Sequence, residues 1–211
     1  PRRYAPYRCS SAGVRLVGDS RRTMRRGVTA LGLPRSGTPP SDAVQALSER
    51  HQLGNAATET AELRADIDLA GLTLKPQALD KTAAALAPQL PADCGILSLM
   101  AGTTMTRLTT LFGDRPVVRA MSNTAAALGA GISVCVANDA GAAIETLATR
   151  LLKVAGPVEW VSDERLIGAA TAVSGSGPAY VFLLAEALAG AGFAEGLPRD
   201  LADKLARQTI I

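Results

Sequence analysis

This 211-residue sequence is short of several things, and each shortage excludes a class of chemistry. It has one histidine, His51. A His-based triad or a multi-His metal site therefore cannot be built, and no metal site is expected. Its cysteines, Cys9, Cys94 and Cys135, lie far apart and form no C-x-x-C pair. That argues against a disulfide framework or a thiolate metal centre and fits a reducing, cytoplasmic compartment. Aromatic residues make up only 3% of a chain that is 47% hydrophobic. The core must then come from Ala, Leu and Val, which suits helices packed closely on a sheet. No apolar run reaches the roughly 20 residues needed to cross a bilayer. The N-terminal arm lacks the apolar stretch of a secretory signal. No membrane association is expected.

Acid is nearly missing from the first 35 residues, where Arg2, Arg3, Arg8, Arg15, Arg21, Arg22, Arg25, Arg26 and Arg35 face Asp19 alone. Such an arm suits a nucleic acid, an anionic surface or a phosphorylated ligand, or is simply solvated. No aromatic interleaving, RNA-binding motif or helix-turn-helix pattern accompanies it, so nucleic acid is not an expected partner. Residues 1–12 are read as a basic, disordered arm.

The remainder alternates strand and helix patterns. Residues 14–17 read as a strand before Gly18, followed by helix through about Leu31. Ser41 or Asp42 can cap a helix with Val44, Leu47 and His51 on one face, and 57–65 looks helical. Strands are expected at 69–74, 95–99, 116–120, within 129–136 and at 158–161. Helices are expected at 77–90, 104–112 and 140–154. From Asp163 onward the pattern is helical apart from turns at 174–177 and 196–198. This order predicts an α/β fold: a doubly wound, Rossmann-like parallel sheet over 13–161, followed by a truncated all-helical domain over 162–211.

The most specific stretch is Ala172-Val173-Ser174-Gly175-Ser176-Gly177-Pro178-Ala179-Tyr180-Val181-Phe182. Small residues and a Pro precede an apolar stripe of Tyr180, Phe182, Leu183, Leu184, Ala187 and Leu188. By composition this is a tight turn and a helix start. The run also resembles the C-terminal-domain signature of the pyrroline-5-carboxylate reductase family. The likeness continues through Glu186-Ala187-Leu188, Ala191-Gly192, Gly196-Leu197-Pro198-Arg199-Asp200-Leu201-Ala202 and Gln208-Thr209. It implies NAD(P)H-dependent reduction of a small molecule, 1-pyrroline-5-carboxylate, to L-proline. It further implies NADP as cofactor (NAD possible) and a homo-oligomer built through the C-terminal helices.

Doubly wound sheets bind ligands beyond the C-terminal ends of their strands. The first such end here is Gly18-Asp19-Ser20-Arg21-Arg22-Thr23. A dinucleotide loop wants G-x-G-x-x-G/A so that backbone can approach the pyrophosphate. Only Gly18 keeps that pattern; Ser20 and Thr23 stand at the other small positions, and Asp19 adds a negative charge. Either Arg21, Arg22, Arg25 and Arg26 bind phosphate directly, or the loop is degraded and the arginines are solvated.

The next end is Thr73-Leu74-Lys75-Pro76-Gln77. The family has Val-Lys-Pro-Gln there, along the cofactor's ribose and nicotinamide. Ala101 and Gly102 follow the third, where Met100 replaces the family's Ala and is expected to crowd the nicotinamide face. At the fourth the family has Met-Pro-Asn-Thr. Here Ser122 replaces the Pro, and Asn123 either orients a carboxamide or substrate group or caps the following helix.

The cofactor set is thus Gly18, Ser20, Arg21, Thr23, Thr73, Leu74, Lys75, Pro76, Ala101, Gly102 and Asn123. Backbone amides of Ser176 and Gly177 are the substrate set, placed to hold a small carboxylate. No catalytic residue is assigned, because hydride transfer to an electrophilic imine needs position more than a base. Asp66 and Asp68 precede their strand and read as solvated turn residues. The family's Ser/Thr- and Gly-rich substrate loop has no counterpart in these residues. A catalytically defective fragment or relic, acting at most in folding or dimerisation, is therefore the alternative.

Overall fold

The computed structural model describes residues 29–31, 55–57, 68–74 and 76–211. The expected strand at 14–17 and the capped helix carrying Val44, Leu47 and His51 lie outside them. Two short strands, β1 (Thr29–Leu31) and β2 (Asn55–Ala57), pair in parallel with Thr29 opposite Asn55. This corrects two expectations. Residues 29–31 form a strand rather than the end of a helix, and Ala57 closes a strand rather than opening a helix. Pairing with a distant segment overrides local helical propensity in both.

A five-stranded sheet follows, in the order β3 (Leu69–Leu72), β4 (Gly95–Ser98), β5 (Val117–Met121), β6 (Ser133–Ala137), β7 (Val158–Trp160). β4 is buried at every residue, as an apolar strand covered on both faces must be. Successive side chains point to opposite faces. Ile96 and Val117 pack with Leu72, Leu108 and Phe112 under α1 (Leu79–Leu86) and α2 (Met105–Phe112). Leu97 and Val118 pack with Ile144, Ala148 and Leu152 against α3 (Glu145–Leu152).

The Rossmann-like arrangement stands, with one difference from the expected all-parallel sheet. β5 and β6 are antiparallel, with Val118 opposite Ala137 and Ala120 opposite Cys135. The connection between them holds only a short 3-10 turn, Thr124–Leu128. A parallel return needs a crossover long enough for a packed helix. Asn138 closes this ladder. Its N–H donates to Val117 O at 3.0 Å, its Oδ1 accepts from Val117 N at 2.8 Å, and its Nδ2 donates to Arg115 O at 3.0 Å. Arg115 in turn donates to the carbonyls of Ala87, Leu90, Pro91 and Phe112, gathering the ends of α1 and α2 beneath the sheet.

The tail comprises α4 (Arg165–Ala170), a π-helical turn (Thr171–Gly175), α5 (Gly177–Ala194) and α6 (Arg199–Ile210). The turn expected at 174–177 is instead a widened turn inside a continuous helix. Ser176 N donates to Thr171 O at 2.8 Å, five residues back. Pro178 explains it, because a proline inside a helix lacks an N–H and clashes with the carbonyl one turn back. The extra residue lets the helix continue past it. The expectation of no bilayer-length segment is corrected with it. Arg165–Ala194 is a 30-residue helix holding an 18-residue window of mean hydropathy 1.4, long and apolar enough to cross a membrane by length and composition. α5 and α6 pack on each other through small residues, with Ala189, Ala202 and Ala206 buried. Most of the large side chains of α5 remain exposed.

Candidate functional site

Because β3, β4 and β5 run parallel, their C-terminal ends share one edge of the sheet. After β3, Thr73 and Leu74 are half-buried and Pro76 opens a 3-10 turn, Pro76–Ala78, in front of α1. After β4 the chain places Ala101 and Gly102 in solvent. Gly102 has φ +71°, a conformation that favours glycine, and there is open space where its Cβ would stand. Thr104 then caps α2, its Oγ1 accepting from Arg107 N at 3.2 Å.

Met100 does not crowd this edge. It is 2% exposed and packs in the core with Leu72, Leu79 and Phe112. Its neighbour Ala101 faces outward instead. The larger side chain is absorbed beneath the loop, which the substitution alone did not reveal.

After β5, Asn123 is half-buried, and it is not a side-chain cap. Its Oδ1 accepts from Ile132 N at 3.3 Å and so ties the loop entering β6 back to the sheet edge. Ser122 Oγ is buried beside it without a hydrogen-bond partner. The π-helical turn reaches the same place. A Cβ on Gly175 would stand 3.1 Å from Met121 Cε and 3.2 Å from Thr171 Cγ2, so glycine permits the approach of that turn to the end of β5.

The structure therefore brings Thr73, Leu74 and Pro76, then Ala101 and Gly102, then Asn123, to successive positions along one edge, with the turn before α5 against its β5 end. Ser176 ends that turn and Gly177 opens α5, and the Ser176 amide is already committed to Thr171 O. This corrects the expectation that the Ser176 amide, as part of a helix start, would hold a small carboxylate. Gly18, Ser20, Arg21, Thr23 and Lys75 lie outside the described residues.

One arrangement here escaped the sequence reading. Arg119, on the α1–α2 face of β5, donates through Nη1 to Glu164 Oε1. The same oxygen accepts the Met105 N–H of α2 at 2.6 Å. Arg119 is 12% exposed and Glu164 30% exposed. An Arg inside the run Val117-Val118-Arg119-Ala120-Met121 was the available signal, since a charge on a buried strand needs a partner.

The remaining ionisable groups with altered protonation lie away from this edge or at the surface. Burial pushes the Cys94 thiol up to about 11 and the Cys135 thiol up to about 12. Both are inert, unpaired thiols. Hydrogen bonds from Arg165 hold the Asp163 carboxyl below the usual carboxylate range. Among the described residues no group of three His, Cys, Asp or Glu could hold a metal ion.

Residues 164–211 match a family profile described as pyrroline-5-carboxylate reductase dimerisation. Pyrroline-5-carboxylate reductase from Pseudomonas aeruginosa is 40% identical over 200 residues, which is 92% of this chain and 73% of that protein. The structure of a pyrroline-5-carboxylate reductase from Coxiella burnetii superposes with a TM-score of 0.71 at 30% identity, covering 80% of this chain and 63% of that one. The Plasmodium falciparum pyrroline carboxylate reductase, solved with NADP bound, gives a TM-score of 0.65 at 27% identity, covering 74% of this chain and 60% of that one. This chain thus spans 60–73% of the length of these relatives. Identity at that level, running through both the sheet and the helices, places the chain in the pyrroline-5-carboxylate reductase family.

Proposed function

We propose that this chain carries the reaction of its family, the NAD(P)H-dependent reduction of the cyclic imine 1-pyrroline-5-carboxylate to L-proline. The observation that carries the reading is the common edge of β3, β4 and β5 with the turn before α5 set against Met121. The residues along it fit an extended dinucleotide. Ala101 and Gly102 are small and exposed, and the open space at Gly102 admits a ligand close to backbone. Thr73, Leu74 and Pro76 would flank the ribose end, and Asn123 lies beside the β5 end. Gly18, Ser20, Arg21, Thr23 and Lys75 complete the proposed cofactor set.

When bound, the reduced nicotinamide supplies the hydride. This chain supplies position: half-buried Leu74 and Met121 exclude water from the edge, and Ser176 and Gly177, at the turn set against Met121, are the proposed substrate residues. The reading assigns residues 13–161 to the cofactor and 162–211 to dimerisation and substrate. It makes the protein a homo-oligomer, which the dimerisation match over 164–211 supports. A cytoplasmic location belongs to the same reading, and the free thiols Cys94 and Cys135 support a reducing compartment. The alternative of a catalytically defective relic is not favoured, since likeness to a reductase extends through 92% of the chain.

The test is the loss of reduced-nicotinamide absorbance on adding 1-pyrroline-5-carboxylate to the purified chain, with NADPH and NADH in separate arms. Saturable oxidation dependent on the imine is expected. A folded chain that binds neither dinucleotide would overturn the reading.

A further inference from the structure

Helix α2 begins immediately after the exposed loop holding Ala101 and Gly102, so whatever fixes its first turn fixes one wall of the proposed cofactor edge. Two contacts do so. Thr104 Oγ1 takes the Arg107 N–H, and Glu164 Oε1 takes the Met105 N–H at 2.6 Å. The first comes from the chain just before the helix. The second comes from 59 residues away, from the residue that opens the matched dimerisation segment. The carboxylate is itself held from the other side by Arg119 Nη1 on β5. Arg119 is largely buried, and its Nε has no partner. Glu164 is thus the shared acceptor of a β5 cation and an α2 amide. It joins the sheet, the loop between β4 and α2, and the start of the helical tail.

We propose that Glu164 is a positioning residue of the dinucleotide site: by accepting the Met105 N–H it sets the Leu99–Thr104 loop against which the cofactor lies. This rests on the dinucleotide reading above. The Arg119 contact and the Met105 contact have separable consequences. Glutamine keeps a carbonyl oxygen that accepts from Met105 N–H but abandons the charge of Arg119. Alanine removes both. Loss of a partly buried charge partner costs stability whatever the cofactor does. Loss of the α2 acceptor frees the loop.

The experiment compares Glu164→Ala and Glu164→Gln in the 211-residue chain by thermal melting, equilibrium NADPH titration and amide hydrogen exchange without ligand. Both variants should melt lower than the parent. Only Glu164→Ala should bind NADPH weaker, by about tenfold, the equivalent of one hydrogen bond to a charged group. Only Glu164→Ala should show faster exchange confined to residues 99–105. Should Glu164→Ala fail to fold, Glu164→Asp, one methylene too short to reach both donors, replaces it with the same expected pattern. NADPH affinity that follows melting temperature equally in both variants overturns the proposal, as does unchanged affinity in Glu164→Ala. A parent chain that binds no dinucleotide overturns the functional reading first, and this proposal with it. Weakened binding in Glu164→Ala with retained binding in Glu164→Gln supports both.

Discussion

Ser122 shows how a single side chain can carry an uncompensated cost. Its hydroxyl is buried at the end of β5 and makes no hydrogen bond. A buried, unmet polar group costs about 1–3 kcal/mol. Ser122→Ala should therefore raise stability by about 1 kcal/mol, read as a higher urea midpoint at unchanged slope; an unchanged or lower midpoint would show the hydroxyl to be satisfied in solution. The thiols give a second prediction at this scale. Burial raises Cys94 to about 11 and Cys135 to about 12 from the ordinary 9.0. The folded state then holds these protons after the unfolded chain has released them. Their contribution is complete below pH 9 and is lost as pH rises toward 11 and 12, by at most about 1.4 kcal/mol per pH unit per thiol. Urea melts across that range should show the decline, and replacing both cysteines with Ala should flatten it. The cysteine spacing already argued against a disulfide framework or a thiolate metal centre; the burial that makes the thiols inert was not legible. The outward or inward sense of Met100 and Ala101 was not legible, because it depends on how the loop leaves β4.

At the scale of elements, Asn138 is the informative piece. It replaces one residue of ladder at the β5–β6 junction by giving Val117 both a donor and an acceptor. Val117 is fully buried, so its N–H has no water to turn to. Asn138→Ala should cost about 2 kcal/mol and speed amide exchange at Val117 before the rest of β5. Equal exchange across the strand would instead mean that Asn138 is a spectator. The same junction marks where sequence reading stopped. β3, β4 and β5 were legible because strands buried on both faces appear as unbroken apolar runs such as Gly95-Ile96-Leu97-Ser98. α2 was legible as a helix over 104–112, with Thr104 standing outside it as the cap. Strand direction at β6 was not, since nothing local to residues 133–137 encodes which way they meet β5. The widened turn at 171–175 was hidden for a related reason. Ser-Gly-Ser-Gly-Pro is turn chemistry by composition, and the widened turn that carries the helix past Pro178 sets Gly175 against Met121, a contact distant in sequence. The Arg119–Glu164 contact pairs residues 45 apart, beyond any periodicity.

For the whole molecule the question is what covers α5. Tyr180, Phe182, Leu183 and Leu184 are 60%, 71%, 65% and 53% exposed, and only 6% of the apolar window in this helix is buried. Apolar surface on that scale marks an interface. A bilayer and a second copy of the chain both offer apolar cover, but α6 discriminates between them. It packs along α5 and carries Arg199, Asp200, Asp203, Lys204 and Arg207. Burying that many charges beside α5 in hydrocarbon is costly. A second copy can cover the apolar side chains while leaving the charges in water, and residues 164–211 match a dimerisation family. The chain should therefore sediment as a homo-oligomer at micromolar concentration without detergent. Phe182→Asp with Leu184→Asp, both at largely exposed positions, should reduce it to a monomer, while the buried sheet keeps its fold by circular dichroism. A monodisperse monomer of the parent chain would refute self-association. Partition of the parent chain into lipid vesicles would identify the bilayer as the cover instead.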